Sequence, residues 1–261
     1  MARGLALPAL SDSVRIVPLH VPDELGVIGG LAPAGPAAQL TYHNGHLLGA
    51  VEVFTIFWGR AWTTPTKKAV AGQINAFVDA ILVSPLIDQL GEYSVTGQTI
   101  GHGTRVGTTT ATSPKLSHSI SDGAIQHFLQ HQVASNPAVP QPTPNTLFFL
   151  YLPLGISVAQ GGGRSCQAFC GYHNDIAGQL YYAVMPYPGC GGCTGGLSPL
   201  DALTSTSSHE LCEAITDAVP GQGWYDDPGN AGIGDLCAWK TKKVAGSTVQ
   251  LEWSNKAGAC V

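Results

Sequence analysis

The sequence is poor in charged residues and in long apolar segments. Only 11% of its 261 residues are charged, and the 12 basic residues form no cluster, whereas soluble proteins average about 25% charged residues. The net charge of −5 argues against nucleic acid or an anionic membrane as a partner. The longest apolar run, residues 147–159, contains Pro153 and is too short to cross a bilayer.

Two common catalytic classes lack their sequence signatures. No G-x-S-x-G motif occurs, so nothing indicates the nucleophile elbow of a serine hydrolase. The glycine-rich segment 101–107 is not followed by a predicted helix, which argues against a phosphate-binding loop. A catalytic site must therefore be sought among other residue groups.

Glycine and proline are abundant. The 33 glycines and 18 prolines make up about one residue in five, against roughly one in eight in average usage. The chain still has 44% hydrophobic residues, enough for a sizeable core. We expect an extended N-terminal arm at 1–45, followed by one α/β domain at 46–261. That domain should combine a mixed sheet and amphipathic helices with a disulfide-rich C-terminal part.

All seven cysteines lie between residues 166 and 260. One interpretation is a disulfide framework formed in an oxidising compartment. The other is a four-thiolate zinc knuckle, built from the C-x3-C at 166 and the C-x2-C at 190. The low charge favours an exported protein with disulfides. The odd number leaves one free thiol, which we assign to Cys212 because it lies inside a predicted helix, as a small buried side chain.

Hydrophobic periodicity predicts alternating strands and helices. The capping signals are Thr64 before one helix and Ser121 before another. The predicted order is strand 51–58, helix 64–84, strand and hairpin 93–112, a helix from Ser121, strand 147–152 and strand 180–185. This alternation predicts a layered α/β structure.

A third helix carries the candidate chemistry. Ser198 is its predicted N-cap, and we expect the helix to end near Asp217. Its apolar positions form one face, which we expect to meet the core. On a different face His209 and Glu213 stack one turn apart, with Glu210 beside them.

The helix contains the motif H-E-x-x-E, a variant of the zincin motif. In that pattern His209 and Glu213 bind one metal ion and Glu210 is the general base. Glutamate in place of a second histidine still binds Zn²⁺, and it makes the site tolerant of Mn²⁺ or Ca²⁺. We predict Asp235 as the third ligand, with Asp226 as the second choice. The alternative is an exposed helix face with a modest His–Glu ion pair.

Other histidines and acidic residues have less specific signals. Asp217 lies about 12 Å along the helix axis from His209, so we expect it at the helix end or behind the ligands. We assign His173 a catalytic role, as a transition-state donor or an extra ligand; the alternative is a structural histidine. His127 and His131 could bind a metal, but their spacing fits the solvent face of the second helix.

A series of short motifs occurs in order over roughly residues 41–261. They are YHNGHLL at 42–48, FWG at 57–59, FCGYH at 169–173, the cysteines 190 and 193, HELCEAITD at 209–217, GWYDD at 223–227, IGDLCAW at 233–239 and Cys260. Together they resemble the bacterial relatives of the EXORDIUM, or phosphate-induced, family of extracellular plant proteins. The resemblance implies export and disulfides that join 166 to 170, 190 to 193 and 237 to 260. Plant members lack the His–Glu pair, so family membership alone does not imply an enzyme.

These features predict a secreted, monomeric, zinc-dependent metallohydrolase, specifically a peptidase acting on peptides or proteins, with no membrane or nucleic-acid partner. Strand 180–185 precedes the HExxE helix, and we expect it to pair with an extended peptide. One alternative is a non-catalytic extracellular binding or wall-associated protein of the EXORDIUM type with a structural metal site. Another is a calcium-stabilised module whose ligands are Asp217, Asp226, Asp227 and Asp235.

Overall fold

The computed structural model of the protein describes residues 15–20 and 38–261. In this part of the chain the helices are α1 (Pro65–Ile81), α2 (Pro85–Leu90), α3 (Asp122–Ser135), α4 (Gly191–Thr194) and α5 (Pro199–Thr216). The strands of the central sheet are β1 (Arg15–Pro18), β3 (Glu52–Trp58), β4 (Thr104–Ala111), β6 (Thr146–Tyr151), β9 (Phe169–Ile176) and β10 (Leu180–Met185). The other strands are β2 (Leu40–Tyr42), β5 (Ser119–Ser121), β7 (Ser157–Gln160), β8 (Gly163–Arg164), β11 (Trp224–Asp226), β12 (Thr241–Val244), β13 (Ser247–Gln250), β14 (Trp253–Ser254) and β15 (Ala259–Cys260).

The central sheet has six strands in the order β1-β9-β10-β6-β3-β4. Strands β10, β6, β3 and β4 are parallel, whereas β9 is antiparallel to both β10 and β1. The smaller sheets are β5-β7-β8, β2-β11, β12-β13 and β14-β15. The predicted mixed α/β architecture is therefore confirmed.

Both faces of the central sheet are covered, which explains its continuous apolar strands. Helices α1, α2 and α5 contribute to the core on one face, and α3 packs on the other. Side chains of β6 and of the residue that follows it alternate between the two cores: Leu147, Phe149 and Tyr151 belong to the first, and Phe148, Leu150 and Leu152 to the second. A sheet buried on both sides places any group between it and α5 away from solvent.

Local capping signals set the helix boundaries. The Ser121 hydroxyl accepts a hydrogen bond from the Ala124 N–H, and the Ser198 hydroxyl accepts one from the Asp201 N–H, both at 3.2 Å. Asp217 is the C-cap of α5, as predicted. Within the described residues no single helix is long and apolar enough to cross a membrane; residues 65–81 and 85–93 pass only as a bent pair, by length and composition.

Two parts of the predicted N-terminal arm are strands. Strand β1 forms one edge of the central sheet by pairing with β9, and β2 pairs with β11. Residues 1–14 and 21–37 of the predicted arm lie outside the described residues.

Strand β10 cannot receive a substrate peptide. It pairs with β6 on one side and with β9 on the other, so its backbone hydrogen-bonding groups are already used. The expectation that strand 180–185 binds an extended peptide is wrong, because β9 folds back against it. The edges of the central sheet are β1 and β4.

Three disulfides join Cys166 to Cys190, Cys170 to Cys193 and Cys237 to Cys260. The third pair and the free, buried Cys212 are confirmed. The predicted disulfides 166–170 and 190–193, each within one short motif, are wrong. Segment 166–170 and the helical turn 190–193 lie side by side, so each cysteine meets one on the other segment. The zinc-knuckle alternative is excluded as well, and the disulfides indicate an oxidising environment.

Candidate metal centre

Helix α5 is buried along most of its length because the residues in its middle have small side chains whose hydroxyl groups form hydrogen bonds. In the segment 204–208, the Thr204 hydroxyl donates to the Thr248 carbonyl at 2.7 Å. The Ser208 hydroxyl accepts from the Gln250 N–H at 2.9 Å. These short side chains allow β13 to close over the helix.

The acidic face of α5 therefore points into the interior. His209 and Glu210 are 0% exposed and Glu213 is 1% exposed, so the alternative of an exposed helix face is wrong. Strand β9 adds the fully buried His173 from the sheet side. Gly171 makes this close approach possible, because a Cβ there would lie 2.6 Å from the methyl group of Thr206.

Three atoms of the predicted ligands converge. His209 Nε2 lies 3.3 Å from Glu213 Oε1 and 3.7 Å from Asp235 Oδ1, and all three atoms lie within 4.8 Å of one another. Ligands bound at about 2.0–2.1 Å to a tetrahedral Zn²⁺ are about 3.3 Å apart. We call this group the first cation position.

Segment 232–235 covers the first cation position. The N–H groups of Gly234 and Asp235 each donate to Glu213 Oε1 at 3.2 Å, and the Gly232 N–H donates to Asp235 Oδ2 at 2.9 Å. Hydrogen bonds of this kind orient carboxylates that bind metals. A Cβ at Gly234 would lie 2.7 Å from the His209 ring, so the loop rests directly on the imidazole.

Gln250 contacts the other nitrogen of His209. Its Nε2 donates to His209 Nδ1 and to the Gly234 carbonyl, each at 2.8 Å, and its Oε1 accepts from the Trp239 N–H at 3.2 Å. When His209 accepts at Nδ1, its neutral ring carries the proton on Nε2. A cation at Nε2 would require Nδ1–H, and the Gln250 amide would then have to present its oxygen to Nδ1.

A second group of atoms lies on the sheet side of the same cluster. His173 Nδ1 lies 3.0 Å from Glu210 Oε2 and 3.7 Å from Glu213 Oε2. Among the described residues, His209 Nε2, Glu210 Oε1 and Glu213 Oε2 have no hydrogen-bond partner although they are buried. Buried atoms of this kind are normally paired, and here they are all directed into one cluster.

Burial and mutual charge shift the pKa values of the cluster. Burial opposes the charged form of His209, but neighbouring carboxylates, Glu213 foremost, raise its pKa well above the ordinary value. Burial also opposes ionisation of Glu213, yet His209 lowers its pKa to about 2. Burial and the charge of Glu213 raise the pKa of Asp235 to about 7, and burial raises that of Glu210 despite His173. The surroundings favour positive charge within the cluster.

Asp217 is used to hold the end of the helix. It lies 3.2 Å from the buried Arg15 guanidinium and accepts from the N–H groups of residues 221–223. Asp226 accepts from the Gly229 N–H, and Asp227 lies at the surface beside His43. Each of these three aspartates has contacts of its own, and among the described residues none of them belongs to the group of ligand atoms that contains Asp235. The four ligands of the alternative calcium-stabilised module are therefore not brought together.

Sequence reasoning missed three buried polar residues around the centre. Arg15 pairs with Asp217, Gln250 contacts His209, and Glu252 lies close enough to His209 and Glu213 to interact electrostatically. Burial raises the pKa of Glu252 well above its ordinary value. The available signal was the polar Gln250 at the end of an otherwise buried strand; Arg15 offered none.

Comparison with known proteins does not show a family. No protein-family model and no curated protein matches the chain. A solved structure described as "Structure of a chaperone-substrate complex" has 15% sequence identity over 64% of this chain and 23% of that chain, with a TM-score of 0.33. A likeness this small carries no argument about function. Membership of the EXORDIUM family stays a prediction.

Proposed function

We propose that the protein is a secreted zinc-dependent hydrolase whose substrates are peptides or proteins. The observation that carries this proposal is the convergence of His209 Nε2, Glu213 Oε1 and Asp235 Oδ1. Imidazole and carboxylate groups are both ligands of zinc, and catalytic zinc has three protein ligands with a fourth position for water or substrate. Calcium prefers six or more oxygen ligands, which this group does not offer.

The bound cation would polarise the carbonyl group of the substrate and lower the pKa of a bound water molecule. Glu210 adjoins His209 in the sequence, and its Oε1 has no partner among the described residues. We therefore assign it the transfer of the water proton. His173 Nδ1 lies 3.0 Å from the other oxygen of Glu210, so we assign His173 the orientation of that carboxylate.

Substrate entry requires segment 232–235 to move. Asp235 has a side chain that is 21% exposed, whereas His209 and Glu213 are fully buried. The opening therefore lies on the Asp235 side of the centre. A loop that closes over substrate would also exclude water from the reaction.

The proposal is tested by separating metal binding from turnover. Wild-type protein with Zn²⁺ supplied should cleave members of a broad panel of unstructured peptides, followed by mass spectrometry. Glu210→Gln should retain zinc and lose roughly 10²-fold or more in rate, the scale of general-base catalysis. His209→Ala should lose both zinc and activity. His127→Ala, on the exposed face of α3, is the matched control and should retain both.

The burial of the cluster favours one second candidate, a non-catalytic extracellular binding protein with a structural cation. His209 lies under Gly234 without exposed surface, and closed coordination is typical of structural metal sites. Stable zinc binding without cleavage of any peptide, together with a Glu210→Gln variant that behaves as wild type, would favour this candidate over the hydrolase.

A further inference from the structure

The ring of His173 is oriented by a backbone carbonyl. Its Nε2 lies 3.1 Å from the Asp217 carbonyl oxygen, and because a carbonyl only accepts, Nε2 carries a proton. Nδ1 then faces Glu210 Oε2 at 3.0 Å and Glu213 Oε2 at 3.7 Å. Metal-binding histidines have this arrangement, with the outer nitrogen donating to a carbonyl. No side chain needs to turn before Nδ1 can bind a cation, in contrast to His209.

Two carboxylate oxygens beside this nitrogen have no hydrogen-bond partner among the described residues. They are Glu210 Oε1 and Glu213 Oε2, on fully buried side chains. A second proton on His173, at Nδ1, would not satisfy both of these oxygens, because one N–H group points at one acceptor. A divalent cation can contact the nitrogen and an oxygen of each carboxylate together.

We propose that the cluster binds a second divalent cation between His173, Glu210 and Glu213. The ligand atoms of this second cation position lie within 4.8 Å of one another. Glu213 faces the first position with Oε1 and the second with Oε2, which is the arrangement of a bridging carboxylate. The inference rests on the proposed function because it enlarges the same metal centre.

The charge of the cluster is compatible with two cations. Three carboxylates, those of Glu210, Glu213 and Asp235, surround two imidazoles. With neutral imidazoles and ionised carboxylates, one divalent cation leaves a net negative charge in the interior. The buried Arg15 does not remove it, because its guanidinium is paired with Asp217. A second cation changes the net charge from −1 to +1, so the imbalance is no larger with two cations than with one.

Two cations that share a carboxylate are found in aminopeptidases and phosphatases, where they stabilise the attacking and leaving oxygens. In this centre Glu210 would hold the second cation through one of its two carboxylate oxygens. The other oxygen would remain available for the proton transfer assigned above. The second position therefore adds to the role of Glu210 and does not replace it.

The test is the number of cations bound per chain. Wild-type protein is stripped with chelator, dialysed against Zn²⁺ alone and analysed for metal content, with two zinc ions per chain expected. His173→Asn and Asp235→Asn should each bind one ion, and His127→Asn, the exposed control, should still bind two. Near-ultraviolet circular dichroism checks that each variant is folded.

The zinc contents of wild type and the two variants distinguish the first cation position from the second. One zinc in wild type that survives His173→Asn but not Asp235→Asn overturns the second position and leaves the proposed function intact. One zinc that survives Asp235→Asn but not His173→Asn supports the second position and overturns the first. No bound zinc overturns both. If the variants do not fold, Mn²⁺-loaded wild type decides: magnetic coupling in its electron paramagnetic resonance spectrum supports a carboxylate-bridged pair, and isolated six-line signals contradict it.

Discussion

Gly234 lies directly against the imidazole of His209: a Cβ at position 234 would be 2.7 Å from the ring atoms Cγ and Nδ1. The backbone at Gly234 has φ −79° and ψ −37°, which any residue adopts. Glycine is therefore required here by the contact with the ring. The same contact places the Asp235 carboxylate beside His209 Nε2.

Gly234→Ala should weaken zinc binding about 10- to 100-fold, the range seen for residues that support metal ligands. The new methyl group must displace either the His209 ring or the loop that carries Asp235. Isothermal titration with Zn²⁺ measures the effect. The matched control is Gly72→Ala on α1, where a Cβ meets no atom within 4 Å. Equal affinities in the two variants would contradict the role of Gly234.

Gln250→Glu should tighten zinc binding at the first cation position by about 10-fold, as expected for a carboxylate placed behind a metal-binding histidine. Gln250 Nε2 donates to His209 Nδ1, and a metal-bound ring needs an acceptor there instead. A carboxylate provides that acceptor without an amide rotation. The affinity is compared with that of Gln179→Glu, an exposed control. Weaker binding than in wild type would show that the Gln250 amide suits the metal-bound ring.

The disulfide pattern predicts both a peptide map and a loss of stability. A non-reduced digest should yield the pairs 166–190, 170–193 and 237–260, with Cys212 alkylated only after unfolding.

Replacing Cys237 and Cys260 together by serine opens a loop with a sequence separation of 23. In the chain-entropy model this lowers the free energy of unfolding by about 3 kcal/mol. Zinc affinity should fall as well, because Asp235 lies in the same turn as Cys237. A double variant as stable as wild type would contradict this.

Asp201 should contribute to stability in a defined pH window. Hydrogen bonds from Ser198, Thr248 and Lys243 lower its pKa to about 2. Since the folded pKa lies below the unfolded value of about 3.9, the contribution is present above about pH 4 and disappears as the pH falls towards 2. Asp201→Asn should therefore cost about 1 kcal/mol or less at about pH 6, because solvent screens this side chain, which is 35% exposed. Denaturant unfolding at about pH 6, 4 and 2 should show the difference shrinking; a constant difference would contradict the assignment.

The sequence predicts several main elements of the fold because their signals are local, but it missed α2 and β9, and the hairpin expected within 93–112 is a single strand, β4, parallel to β3. Ser121 and Ser198 mark helix starts through hydrogen bonds that span three residues. The apolar run that becomes β6 also predicts a strand, without reference to its neighbours. Pairing of β10 with β9 on its second side depends on a chain reversal that hydrophobic periodicity does not encode.

The candidate site was only partly predictable. One helical turn brings His209 and Glu213 together, and Asp235 is close because Cys237 anchors its loop. The depth of burial could not be predicted, because it arises when β13 and segment 232–235 close over α5. The disulfides between 166–170 and 190–193 were missed for the same reason, since they depend on how two distant segments meet in space.

The central claim is that the cluster around His209, Glu210 and Glu213 binds a divalent cation. The most direct measurement is the zinc content, by elemental analysis, of chelator-stripped protein dialysed against Zn²⁺, for wild type and for Glu213→Gln. Glu213 belongs to both groups of ligand atoms, so this account predicts bound zinc in wild type and its loss in folded Glu213→Gln. Wild-type protein that binds no zinc, or a Glu213→Gln variant that binds as much as wild type, would contradict it.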